Sequence, residues 1–179
     1  MNKVHIQFYK TKHSEFILGS FDNKLCMLDY RYRTMRNAID NRIKAGLGVD
    51  FEEQDDETLQ STRIQLDEYL LGKRKIFEIP LLTVGTSFQK QVWDALVKVP
   101  YGKTLSYLEL AKNIDNERAV RAVAAANGAN AISIIIPCHR IIGSNGELTG
   151  YAGGLGVKKA LLNIEGTGNS ALTETMNMF

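Results

Sequence analysis

The chain has 179 residues, enough for one large domain or two small ones, and its 44% hydrophobic content is sufficient for a real core. No apolar stretch approaches the ~18–20 residues of a membrane-spanning helix, and residues 1–6 carry no apolar signal core, so the expectation is a cytoplasmic protein that does not engage a membrane. The net charge of +2 is unevenly placed: residues 1–85 hold 13 basic and 13 acidic side chains, residues 86–166 hold 9 and 6, and the excess suits a polyanionic partner.

Residues 4–9, 15–21 and 25–30 read as three short strands, and Asp22-Asn23 marks a turn between the last two. Short connections predict an antiparallel meander. A helix is predicted over 32–47, with Tyr32, Met35, Ile39, Ile43 and Leu47 as its apolar stripe. The acidic run 50–57 reads as a solvated loop or a first helical turn. A second helix follows over 58–71, burying Leu59, Ile64, Leu66, Tyr69 and Leu70, and 77–79 is a candidate strand. Residues 81–85 read as a linker. Thr86 or Ser87 caps a third helix, whose stripe contains Phe88, Val92, Trp93 and Leu96. That stripe marks Trp93 as a core residue rather than a base-stacking platform.

Ser106 and Glu109 have the spacing of a capping box, opening a short helix to 113 that buries Leu108, Leu110 and Ala111. Asp115 and Asn116 supply a turn and a new cap for a helix over 117–127. Two short helices joined this tightly form a helix-turn-helix pattern. On the second, Arg118, Arg121, Ala122 and Ala125 share one face. Its small side chains allow close approach to a surface, and its arginines can reach phosphates or bases. The same face also reads as an alanine-rich helix with two solvated arginines.

Residues 132–136 form an isoleucine-rich run stopped by Pro137, the pattern of a buried strand. Cys138, His139 and Arg140 follow at once. A thiol needs a base or cation nearby to act as a nucleophile, and these neighbours could supply both. A buried cysteine acting only as a small hydrophobe fits as well. In an extended segment, adjacent side chains point to opposite faces, so Cys138 and His139 would need a bridging water or a local turn to cooperate. A glycine-rich loop over 147–154 and a helix over 157–164 complete the ordered pattern, and 167–179 has no strong pattern. Cys26 reads as a core residue. Its spacing from His5 and His13 matches no metal motif, so no metal and no cofactor are expected.

From about residue 66 to 166 the sequence resembles the O6-alkylguanine-DNA alkyltransferases. The resemblance rests on Gly85-Thr86, Val92-Trp93, Val99-Pro100-Tyr101-Gly102, Ser106-Tyr107, Arg121-Ala122-Val123, Asn127-Gly128, Pro137-Cys138-His139-Arg140, Gly150-Tyr151, Gly153-Gly154 and Glu165-Gly166. It implies an α+β fold. Residues 1–80 would form a ribonuclease H-like antiparallel sheet with helices. Residues 81–85 would be the linker and 86–166 a mostly helical domain with the helix-turn-helix and a short active-site strand, followed by a tail over 167–179. It implies irreversible transfer of an alkyl group from O6-alkylguanine, and O4-alkylthymine, in double-stranded DNA to Cys138. A monomer would act once, after rotating the damaged base out of the duplex.

Carried over by residue, the resemblance makes Cys138 the acceptor, His139 its base through a bound water, Glu165 the residue that orients His139, and Asn130 a hinge. Arg121 would replace the extruded base and Tyr107 would crowd the neighbouring phosphate, with Arg118, Ala122 and Ala125 on the DNA-facing side. The carbonyls of Cys138 and Ile141 and the amide of Ala152 would read the base, with Tyr151 packed on it. Ala131 stands where the family often has proline, and Ala152 where some members have serine. A lesion-binding protein of the same fold and a thiol hydrolase using Cys138, His139 and Glu165 are the competing readings. The first lacks a need for Cys138, and the second leaves the Arg121 helix unexplained.

Overall fold

A computed structural model describes residues 2–167. The predicted meander is present as β1 (Val4–Lys10), β2 (Glu15–Phe21) and β3 (Lys24–Tyr30), paired antiparallel. Asp22 and Asn23 both adopt positive φ at the tip of the β2–β3 hairpin, a conformation that Asp and Asn tolerate. The acidic run conceals a fourth strand, β4 (Phe51–Glu53), parallel to β1 at the sheet edge, giving the order β3-β2-β1-β4. Two exposed glutamates on three residues suit a short edge strand, where charge deters further pairing. No strand forms at 77–79.

Successive residues of the central strands serve opposite faces. Ile17 and Met27 pack with Val4, Ile39 and Ile43 on the side of α1 (Arg36–Leu47). Phe16, Leu18 and Leu28 point the other way, onto Leu59, Leu66 and Tyr69 of α2 (Glu57–Leu70). The helix predicted from residue 32 starts only at 36, and Tyr32 and Met35 remain exposed. Ile64, predicted to be buried, is 59% exposed, because α2 turns Leu59, Gln65, Leu66 and Tyr69 inward instead.

The second face of the sheet is shared with the rest of the chain. There, α3 (Ser87–Val97), α4 (Tyr107–Asn113), α5 (Val120–Gly128) and α6 (Leu155–Ile164) add Val92, Trp93, Leu96, Leu110, Val123 and Leu161 to the same core. Trp93 is buried, and its ring N–H donates to the Ala126 carbonyl at 2.9 Å. Thr86 caps α3 and Ser106 caps α4, each in a complete capping box. Leu108 is 38% exposed, while Leu110 and Ala111 are buried. Asn116 precedes a 3-10 turn, Glu117–Ala119, without a side-chain cap bond. The two-residue strands β5 (Leu105–Ser106) and β6 (Ile141–Ile142) pair in parallel. Contrary to expectation, residues 132–136 form no strand: the segment is a succession of turns. Ile134 has φ 71°, and only Ile132 makes a bridge, to Leu28. All of these residues but the partly buried Ile135 are buried as expected, but the burial comes from packing under the sheet rather than from a ladder.

Residues 80–84 run along β3 and α1. Leu25 N donates to Pro80 O at 2.8 Å, and Leu82 N donates to Leu25 O at 2.9 Å. A Cβ at Gly46 of α1 would collide with Val84 Cγ1. Alanine normally gains about 1 kcal/mol over glycine inside a helix. Gly46→Ala should instead lower the urea midpoint, and adding Val84→Ala should restore the helical gain. A midpoint raised by Gly46→Ala alone would show that 80–84 does not pack on α1.

Candidate active site

The turns after Ile132 are held from two sides. Ser133 N donates to Leu28 O at 2.7 Å, and Leu28 N donates to Ala131 O at 2.9 Å, docking the segment beside β3. Asn130 closes it from within: its side-chain N–H donates to Ile136 O at 2.8 Å, and its Oδ1 accepts from Ile132 N at 2.9 Å. Pro137 then leads into a single 3-10 turn, Cys138–Arg140. Cys138 and His139 therefore lie in a local turn rather than an extended segment, one of the two arrangements expected to let them cooperate.

Cys138 is 4% exposed. It lines a cleft of about 250 Å³ together with Asn130, Tyr107, Tyr151, Ala152 and Arg33. Asn127 and Gly128 at the end of α5 line it too. Burial pushes the Cys138 thiol above its ordinary pKa, and the hydrogen bond from Asn130 only partly opposes this.

Behind Cys138 lies a buried ionic cluster centred on Glu165. His139 Nε2 is 2.8 Å from Glu165 Oε1. Arg140 donates from Nε to Oε2 and from Nη2 to Oε1, both at 2.9 Å, and from Nη1 to the Val99 carbonyl at 2.6 Å. The Tyr69 hydroxyl donates to Oε1 at 2.7 Å. Burial alone would raise the Glu165 pKa, but the hydrogen bonds from His139 and Arg140 outweigh it and hold the carboxyl at about 2. An ionised carboxylate only accepts, so His139 carries its proton on Nε2 and presents a lone pair on Nδ1. That Nδ1 is buried and has no hydrogen-bond partner within the described protein. Burial lowers the His139 pKa against the pull of Glu165, keeping the imidazole neutral. The thiol and the imidazole are thus both neutral, and the imidazole is oriented by Glu165.

The other predicted residues separate into groups. Tyr107, Tyr151, Ala152 and Asn130 share the cleft with Cys138, while His139 and Glu165 stand behind it. Arg121, Ala122 and Ala125 are exposed on α5 and Arg118 on the 3-10 turn before it, all outside the cleft lining. The Ile141 side chain is fully buried and does not line the cleft, and its carbonyl accepts from Lys158 Nζ at 2.5 Å.

Four contributors were not legible beforehand. Lys158 is fully buried, and burial brings its pKa down to about 8. It also bonds Thr149 O at 2.8 Å, fastening the glycine-rich loop. The Tyr30 hydroxyl meets the Tyr151 hydroxyl at 2.8 Å, an approach that depends on Gly153, where a Cβ would lie 2.5 Å from the Tyr30 ring. Arg33 and Tyr69 arrive from the first half of the chain. Only long-range packing brings these groups to the site; the helical pattern signals the burial of Tyr69 but not its bond to Glu165.

Glu165 also predicts an acid response. Its folded pKa is depressed below the ordinary 4.5, so its contribution to stability is complete above that value and is lost as pH falls toward 2. Glu165→Gln should be less stable at neutral pH by about 3–5 kcal/mol, because Arg140 is left buried without its partner. The variant should also lack this part of the acid-induced loss. Equal pH slopes for parent and variant in urea unfolding between pH 5 and 2.5 would contradict the assignment.

Two family models match the chain almost end to end. The ribonuclease-like domain of 6-O-methylguanine DNA methyltransferase matches residues 4–83, and the DNA-binding domain of the same family matches residues 87–167. The methylated-DNA–protein-cysteine methyltransferase of Methanosarcina acetivorans is 51% identical over 114 residues, 64% of this chain and 73% of that protein. The crystal structure of the Mycobacterium tuberculosis O6-methylguanine methyltransferase is 35% identical, with a TM-score of 0.76 over 96% of this chain and 99% of that one. The Mycobacterium tuberculosis OGT structure in complex with DNA is 34% identical, with a TM-score of 0.77 over the same shares. Domain matches, sequence identity and a shared fold over nearly the whole length agree: the chain belongs to the 6-O-methylguanine DNA methyltransferase family.

Proposed function

We propose that this protein repairs alkylated DNA directly, by moving the alkyl group from O6 of guanine onto Cys138. The observation that carries the reading is the buried thiol on the cleft, next to a histidine whose free lone pair is fixed by Glu165. The names of the relatives and the DNA complex of the Mycobacterium tuberculosis protein support it.

The chemistry balances without a cofactor. His139 Nδ1 accepts the thiol proton, directly or through a water, and the imidazolium is stabilised by the ionised Glu165. The sulfur attacks the alkyl carbon, the carbon–O6 bond breaks, and its electrons restore the guanine carbonyl. The proton passes to the purine ring nitrogen, regenerating guanine. A thioether is left on Cys138, and no step returns it to a thiol, so each molecule acts once. O4-alkylthymine presents the same bond to the same nucleophile and is the second substrate.

A base stacked in duplex DNA cannot reach a residue 4% exposed, so the nucleotide must rotate out, at a cost of a few kcal/mol. In this reading Arg121 enters the space left in the duplex, Arg118, Ala122 and Ala125 lie along the DNA, and Tyr107 crowds the backbone. Tyr151 packs on the base, and the main chain at Ala152 and Cys138 reads its edge. Asn130 keeps the turn that presents the thiol.

Incubating the protein with duplex DNA containing O6-methylguanine should add one methyl group to Cys138, stoichiometrically and without turnover, as read by intact mass and peptide mapping. Tight lesion binding without a mass gain would favour a lesion-binding protein instead. Arg121→Ala should keep the fold and slow transfer from duplex DNA at least about tenfold, since the few kcal/mol of base extrusion lose their offset. Equal rates for variant and parent on the duplex would remove Arg121 from that role.

A further inference from the structure

The C-terminal end of α5 is held by the opposite half of the chain. Helices end with carbonyls that lack intrahelical donors. Here Arg33 Nη2 donates to Gly128 O at 2.6 Å and Arg33 Nη1 to Asn130 O at 3.3 Å. Arg42 Nη2 donates to Ala129 O between them at 2.8 Å. Arg33 comes from the β3–α1 connection and Arg42 from α1, and both place positive charge at the negative end of the helix dipole.

Arg33 is itself braced. Its Nη1 lies 3.2 Å from each oxygen of Asp29, a fully buried residue at the end of β3. Arg36 Nη1 holds Asp29 Oδ2 at 2.9 Å, and Tyr30 N donates to Oδ1 at 2.9 Å. The Arg33 side chain is only 5% exposed. It nevertheless lines the cleft that contains Cys138, alongside Gly128 and Asn130, whose carbonyls it binds.

We infer that Arg33 is a positioning residue for alkyl transfer: braced on Asp29, it fixes the end of α5 and Asn130, and so one wall of the cleft at Cys138. The inference rests on the alkyl-transfer reading above. Asn130 connects the two ends of this relay, since Arg33 holds its carbonyl and its side chain holds the turn before Cys138. Arg121 lies in the first turn of α5 and Arg118 in the 3-10 turn before it, remote in sequence from the pinned carbonyls. Releasing the pinned end therefore disturbs the seating of the base against the thiol more than the grip on the duplex. Lysine keeps the charge but cannot bridge a carboxylate and two carbonyls with one rigid fork.

The test is single-turnover transfer from duplex DNA carrying O6-methylguanine, followed over a range of DNA concentrations, for the parent, Arg33→Ala, Arg33→Lys and Arg31→Ala. Thermal unfolding is read alongside. The saturating rate constant should fall at least about tenfold in Arg33→Ala and about threefold in Arg33→Lys, the loss expected when reacting groups are slightly misplaced. The half-saturating DNA concentration should change less than about twofold, and Arg31→Ala, a neighbouring cation paired with Glu15, should match the parent in both constants. A merely structural role would lower the unfolding temperature without this split. Folded Arg33→Lys that transfers at the parent's saturating rate would overturn the inference, even if Arg33→Ala does not fold. So would a change confined to the half-saturating concentration, which would assign Arg33 to DNA binding. A parent that transfers nothing would overturn the alkyl-transfer reading itself, a result distinct from variants that match an active parent.

Discussion

A carboxylate taken out of water costs several kcal/mol unless its lone pairs are filled. Glu165 is such a carboxylate, and everything around the thiol depends on how its cost is met. Arg140 supplies two parallel bonds, His139 a third and Tyr69 a fourth. These partners come from the turn after Pro137 and from α2, while Glu165 itself caps α6. The carboxylate therefore ties both halves of the chain to the segment that carries Cys138. It also decides a chemical question, because an ionised acceptor at Nε2 leaves Nδ1 of His139 as the basic nitrogen.

The same burial keeps the site at rest. It raises the thiol pKa and lowers that of the imidazole, so neither group is charged at neutral pH. A standing thiolate would react with any small electrophile; a neutral thiol beside an oriented base needs a bound, positioned substrate. In the proposed reaction, charge develops only as the base fills the cleft, where Glu165 is already arranged to stabilise the imidazolium without reorganising. The role of the first half of the chain then becomes structural in a specific sense. Its sheet carries Asp29 and the docking bonds to residues 131–133, and its α2 carries Tyr69.

Much of this was legible in the sequence where a local pattern encodes it. The short strand-like runs of β1–β3, the capping box at Ser106 and the breaker at Pro137 each have a short-range physical cause, and each marks an element or a boundary that the fold contains. Where several solutions bury the same residues, the pattern was misleading. Ile132, Ile134 and Ile136 are buried in turns rather than in a strand, since Asn130 and β3 satisfy backbone groups of the segment in place of a ladder. Phe51 to Glu53 pair at an edge despite their charge. Lys158 and Arg33 look like surface cations in sequence, and only the carbonyls that converge on them in the fold explain their burial.

Glu165 fixes the His139 proton on Nε2 and leaves Nδ1 free as the base. Nitrogen-15 NMR of the imidazole in the resting protein tests it directly. Nε2 should give a pyrrole-type signal and Nδ1 a pyridine-type signal at neutral pH, with both converted toward the averaged neutral pattern in Glu165→Gln. A protonated Nδ1, or a doubly protonated ring paired with a thiolate at neutral pH, would contradict it.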